Sequence, residues 1–218
     1  MIEVRDLAFG YPQGGFALRV SELTVAPGDR VAVVGPSGCG KTTLLHLLAG
    51  ILVPESGSVA VDGVDVAQLG PEDRQDFRAT RVGLVFQEFE LLDYLDVLDN
   101  VLLPYRVSPA QHLDDAARQR ARELIEQVGL AAKVHAFPRR LSQGERQRVA
   151  VCRSLVTRPK VLFGDEPTAN LDTDNRDHGM ETLFRYAEQR RAPLVVVTHD
   201  RELRGRFDTA VDVRELAP

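Results

Sequence analysis

No stretch of the sequence is long and apolar enough to cross a bilayer, since each hydrophobic run falls short of the ~18–20 residues a membrane helix needs. Any part in membrane work is therefore expected to come through another chain. The first ten residues, MIEVRDLAFG, lack a basic segment followed by an apolar core, so no secretory leader is expected there. Cysteine is scarce. The two present, Cys39 and Cys152, fall in a glycine-rich loop and an expected helix, poor places for a structural disulfide, and a reducing cytoplasm is expected. Positive charge is not in surplus either: 27 Lys and Arg stand against 32 Asp and Glu, a net charge of -5. Without a basic face, nucleic acid is not an expected partner. Internal repeats and low-complexity linkers are also missing. What is there, 218 residues with 44% hydrophobic and 27% charged, is the composition of an ordinary globular protein, enough for one domain or a domain with an inserted subdomain.

Hydrophobic patterning gives the order of elements. Ile2, Val4 and Leu7 mark one short strand, and Ala17, Leu18, Val20, Leu23 and Val25 a second, with Pro12, Gly14 and Gly15 turning between them. Val31 to Val34 is a continuous apolar run ending at a glycine, as buried parallel strands do. A helix is expected over 42–49, and strands over 58–61 and 82–86. From about 88 to 159 the pattern turns helical: Leu113, Ala117, Ala121, Leu124, Ile125 and Val128 share one face of a 3.6-residue period, Gly129 is a stop, and 144–155 is a second helix. Alternation then resumes with a strand at 161–163, a helix at 173–189, a strand at 194–197 and a last strand within 210–216. The expected fold is α/β.

Two segments point to phosphate chemistry. Gly35, Pro36, Ser37, Gly38, Cys39, Gly40, Lys41, Thr42 and Thr43 spell Gly-x4-Gly-Lys-Thr between an expected strand and an expected helix. Glycines there let backbone N–H groups turn around an anion, and the helix N-terminus adds partial positive charge. Lys41 would reach the β- and γ-phosphates, the Thr42 hydroxyl would ligate Mg²⁺, and Thr43 would sit near the α-phosphate. In the second segment the apolar run Val161, Leu162, Phe163 and Gly164 delivers Asp165 and Glu166 at a strand end, where open α/β sheets bind ligands. Asp165 suits Mg²⁺, and Glu166 is placed to orient and deprotonate a water. The alternatives are a glycine-rich turn and a solvated acidic turn.

Between these segments lies Leu141, Ser142, Gln143, Gly144, Glu145, Arg146, Gln147. Ser142 followed three residues on by Glu145 is a helix capping box. The box explains neither Leu141, Gly144 nor the basic residues after them. Taken together in this order and spacing, the three segments resemble the ATP-binding cassette (ABC) ATPases over residues 1–213. The resemblance implies a phosphate-loop core with a mostly parallel sheet and an N-terminal antiparallel β subdomain (1–87 and 160–218), carrying a helical signature subdomain (88–159), all as one domain over 1–218. It also implies ATP with Mg²⁺, and two copies closing face to face, so that Ser142, Gln143, Gly144 and Glu145 meet the ATP held by the opposite copy. Gln143 and Glu145 depart from the commonest signature, LSGGQ. The same resemblance gives His199 a γ-phosphate contact that steadies Glu166, makes Gln87 a reach toward Mg²⁺ and the water, and puts Tyr11 on adenine, with Phe9 and Phe16 nearby. Ala169, Asn170, Leu171 and Asp172 look like the loop that crosses the dimer interface.

Residues 86–92, with Leu98, Asp99, Asn100, Val101, Leu103 and Pro104 after them, are similar to ATPases of lipoprotein-release and macrolide-export type systems and to the related cell-division ATPase. That implies a membrane permease docking from Gln87 to Leu92, with Phe89, Leu91 and Leu92 as apolar contacts and Glu88 and Glu90 favouring a basic helix, and a chain that is peripheral on the inner face of the cell membrane. Three expectations stand side by side: a subunit powering an export permease, the same chemistry in a soluble assembly complex, and a signalling ATPase that moves no cargo.

Overall fold

Alternating burial along Ile2–Gly10 (β1) and Ala17–Val25 (β2) makes one apolar face from Ile2, Val4, Leu7, Phe9, Leu18, Val20, Leu23 and Val25. The two strands pair antiparallel from Ile2↔Val25 to Gly10↔Ala17. The structure is a computed structural model that describes residues 1–12, 14–169 and 173–217, with backbone alone for 173–176 and 201–202. The chain continues through Arg30–Val34 (β3), Lys41–Leu48 (α1), Ser56–Val61 (β4), Val64–Asp65 (β5), Pro71–Arg81 (α2), Val82–Val85 (β6), Val97–Leu102 (α3), Pro104–Val107 (α4) and Asp115–Gln127 (α5). It ends with Gln143–Leu155 (α6), Val161–Asp165 (β7), Thr173–Arg190 (α7), Leu194–Val197 (β8), Arg201–Arg204 (α8) and Thr209–Asp212 (β9).

Among the described residues the strands form two sheets. One is antiparallel, in the order β2-β1-β4-β5. The other, in the order β6-β7-β8-β3-β9, is parallel at every pairing. Every residue of β7 and β8 is buried, as expected for inner strands of a parallel sheet covered on both faces. α1 packs Leu44, Leu45, Leu47 and Leu48 into the cluster that also holds the inner faces of β1, β2 and β4.

The helices between β6 and β7 have a core of their own: Val97, Val101 and Leu102 meet Ala117, Ala121, Ile125, Val149 and Cys152. α5 starts later than its apolar face suggests. Asp114 caps it, its side chain accepting from Ala117 N–H at 2.7 Å, so Leu113 stands before the helix. α2 is not foreseeable from hydrophobic period, because PEDRQDFRATR buries Phe77 alone. End effects favour it: Pro71 opens it, Glu72 and Asp73 lie in its first turn, and Arg78 and Arg81 in its last. The last expected strand ends early, since Asp212 accepts from Arg214 N–H and turns the chain into a short 3₁₀ stretch, Val213–Leu216.

Behind β6, residues 86–96 are irregular and held from inside. Phe89 is 5% exposed and packs in the core with Val85 and Val151, so it is no surface contact, contrary to the docking expectation; Leu91 and Leu92 are half-buried. Arg153 of α6 donates to the carbonyls of Phe89 and Glu90, and burial pushes its guanidinium pKa down to about 10. Asn100, fully buried, accepts from Leu92 N–H at 2.8 Å and donates to the carbonyls of Leu92, Leu95 and Asp96. Both cysteines are free; Cys152 is buried, which drives its thiol pKa up to about 12 and leaves it inert. Replacing Asn100 with Ala strands these backbone groups, so urea unfolding of Asn100→Ala should show a loss of about 1–3 kcal/mol.

Candidate active site

The loop from β3 to α1 forms one wall of a cavity of about 540 Å³, within the ~300–1,000 Å³ range of small-ligand sites. Gly40 enters α1 at φ 101, a left-handed conformation that suits glycine, and a Cβ there would lie 2.7 Å from the Phe16 ring. No side chain caps α1, which leaves the N–H groups of its first turn open to an anion. Lys41, 8% exposed, turns its ammonium back on the loop: Nζ donates to Gly35 O at 3.0 Å and Pro36 O at 2.8 Å. The remaining walls come from Tyr11 and Phe16 of the β1–β2 connection, Gln87 after β6, Glu166 after β7 and His199 after β8, with Gly35, Ser37, Gly38, Thr42 and Thr43. Tyr11 is fixed by its hydroxyl, 3.2 Å from Thr43 Oγ1, and by an edge-on contact with Phe9. Phe16, which no sequence signal separates from Phe9, shares the Tyr11 side of the cavity. Pro36 and Cys39 belong to the loop but not to the wall: Pro36 gives its carbonyl to Lys41, and the Cys39 side chain packs against the core beneath.

Thr42 Oγ1 donates to Asp165 Oδ1 at 3.1 Å, joining the loop to the end of β7. Burial pushes the Asp165 carboxyl pKa up, and the Thr42 bond works against that rise. Glu166 follows with its backbone at φ 43, its N–H bonded to Val197 O and its Oε2 2.9 Å from His199 Nδ1. Its side chain is 20% exposed, whereas that of His199 is 70% exposed. A mostly buried carboxylate beside a histidine suits proton abstraction from a water. The structure thus brings Tyr11, Lys41, Thr42, Thr43, Gln87, Asp165, Glu166 and His199 together.

It keeps the signature apart. Ser142, Gln143, Gly144 and Glu145 open α6 and line no part of this cavity. They form the capping box: Ser142 Oγ accepts from Glu145 N–H, and Glu145 Oε2 accepts from Ser142 N–H at 2.9 Å. Lys133 holds the other Glu145 oxygen at 2.6 Å. Burial opposes ionisation of Glu145, yet the Lys133 and Ser142 bonds hold its carboxyl below the usual range. Glu145 is therefore committed within its own chain. The Ser142 hydroxyl, its oxygen already accepting, has its proton to offer outward. Asn170, Leu171 and Asp172, the expected interface loop, lie outside the described residues.

The sequence pattern of the family described as ABC transporter matches residues 18–169. The chain belongs to the ABC transporter family. It is 44% identical, over its whole length and 98% of the relative, to the lipoprotein-releasing system ATP-binding protein LolD of Geobacter metallireducens. It is 47% identical to LolD of Bordetella pertussis over 95% of this chain and 90% of that one. Among solved structures it is similar to the ATP-binding cassette MJ0796, in a dimeric post-hydrolysis state bound to ADP and Pi, with TM-score 0.87, 28% identity and coverage of 97% and 94%. It is also similar to cbiO1 from Clostridium perfringens, with TM-score 0.78, 28% identity and coverage of 91% and 78%. This ABC protein binds ATP and is an ABC-type ATPase. Among its described residues no helix is long and apolar enough to cross a membrane. Lys41→Ala should weaken ATP binding about tenfold to a hundredfold, the worth of charge-assisted bonds, in a fluorescent-nucleotide titration; unchanged affinity would remove the loop from the nucleotide site.

Proposed function

We propose that this ATPase is the nucleotide-binding subunit of a lipoprotein-release type transporter, that it works as an ATP-closed homodimer, and that it sits beneath a membrane permease on the cytoplasmic face. The observation that carries the reading is a half-site. One chain holds a cavity lined by the β3–α1 loop, Lys41 and Glu166, while Ser142 and Gly144 at the start of α6 line no part of it. Two copies face to face would supply each cavity with the other's α6. The named relatives favour lipoprotein release, and the dimeric ADP-bound cassette favours the pairing.

Each side chain takes a role within that frame. On ATP binding, the Lys41 ammonium exchanges the carbonyls of Gly35 and Pro36 for phosphate oxygens. Tyr11 offers its ring to the base. Glu166 takes the proton of the attacking water, and His199 holds the Glu166 carboxylate in position. Gln87, after the neighbouring strand β6, orients the water. The Thr42 hydroxyl and the Asp165 carboxylate are hard oxygen donors 3.1 Å apart, a donor pair that fits Mg²⁺ shared with phosphate and water. Bound there, Mg²⁺ would supply positive charge to the phosphate oxygens.

Residues 88–159 are proposed to move as the helical subdomain. The permease is proposed to dock beside Gln87 and Leu92, at a groove of about 410 Å³ that includes Leu84, Phe86, Leu103, Pro104 and Val107, with Glu90 at its edge. With Phe89 in the core, Leu91, Leu92 and the groove supply the apolar contact, and Glu88 and Glu90 the charge.

Glu166→Gln with ATP and Mg²⁺ should lose about 10²–10⁴-fold in hydrolysis and stay dimeric on gel filtration; parental turnover would remove Glu166 as the base. The same trapped form, used as bait on membranes of the source cell, should retain an integral membrane protein with a large extracytoplasmic domain. Recovery of soluble partners alone would overturn the transport assignment while leaving the ATPase. Ser142→Arg should bind ATP normally as a monomer and fail to dimerise; an ATP-driven dimer of that variant would refute the face-to-face arrangement.

A further inference from the structure

One helix holds two of the turns that carry site residues. Arg153, near the end of α6, grips the carbonyls of Phe89 and Glu90 behind Gln87. Earlier on the same helix, Gln147 Nε2 donates to the carbonyl of Pro167 at 2.8 Å, the residue directly after Glu166. Gln147 is fully buried, and its Oε1 has no hydrogen-bond partner among the described residues. A buried acceptor left unpaired is destabilising, and a methionine of similar size would avoid it. Room for the amide is also kept open from across the contact: on α7, a Cβ at Gly179 would lie 2.5 Å from both Cδ and Oε1 of Gln147. Packing alone does not account for an amide retained in such a slot.

The bonded carbonyl shows what the amide does. Ala169 N–H donates to Glu166 O at 3.0 Å and closes a four-residue turn with Pro167 second and Thr168 third. The peptide between the second and third residues of such a turn can face either way, and that flip separates the two common turn types. Gln147 holds this peptide by its oxygen. Glu166, at φ 43, is in a strained conformation that persists only where its surroundings over-determine it.

We propose that Gln147 is a positioning residue: by holding the Pro167 carbonyl it fixes the turn that aims Glu166 into the cavity, and it makes that turn follow the signature helix of the same chain. The inference rests on Glu166 being the general base. The test compares the purified full-length protein with Gln147→Met, which removes the donor, and Gly179→Ala, which displaces the amide without changing it. Both should lower kcat for ATP hydrolysis about tenfold to a hundredfold, the effect of a small misplacement of a reacting group. KM for ATP should hold within about twofold, as when an interaction specific to the transition state is lost. The Tm of Gln147→Met should stay within about 4 °C of the parent, because relief of the unpaired Oε1 offsets the stranding of the Pro167 carbonyl. The double variant should be no slower than the slower single, since both break one contact. Parental kcat in Gln147→Met, or a fall in kcat that tracks a loss of Tm and a shift in KM, overturns the proposal. Glu166→Gln assayed alongside separates the two readings. Retained turnover there overturns both. An inactive Glu166→Gln beside a Gln147→Met of parental rate overturns the positioning role alone.

Discussion

Parallel pairing of β6, β7, β8 and β3 puts the carboxyl ends of four neighbouring strands along one edge of the sheet, and the chemistry depends on that alignment. Gln87, Glu166, His199 and the phosphate loop each follow one of these strands, and Asp165 ends β7. In sequence they are spread from residue 35 to residue 199; in the sheet they are adjacent because the register holds Val82 opposite Val161, Leu162 opposite Leu194 and Arg30 opposite Leu194. A slip of one residue in any pair would turn that strand's side chains to the other face and withdraw its contribution.

The parts of the molecule legible in the sequence are those where one local rule determines the structure. The phosphate loop, the Asp165–Glu166 strand end and the α5 and α6 helices are visible from glycine spacing, apolar runs and period. The half-buried α2 is not, because capping and charge make it rather than an apolar stripe. Phe89 is a docking contact only by the family resemblance; tertiary packing and a left-handed backbone turn it inward. Phe16 and Gln147 carry no local signal. One reaches the cavity through a turn, and the other matters because of a carbonyl twenty residues away.

Signature and capping box are not rival accounts of Ser142. Its oxygen accepts from Glu145 N–H and starts α6, while the hydroxyl proton and the Gly144 amide remain at the helix entrance. Lys133 takes one Glu145 oxygen and the Ser142 N–H the other, so the carboxylate is compensated within its own chain. In the proposed dimer such a glutamate would stand beside the partner's ATP with its charge already met.

The left-handed backbone of Glu166 has an evolutionary consequence. Glycine would sit at this φ with less strain, so selection for stability and selection for turnover pull this position in opposite directions. A lineage that lost its need for hydrolysis while keeping ATP-driven association would be free to relax here. Glycine or asparagine at this position in a relative would therefore mark an exchange of catalysis for relief of backbone strain.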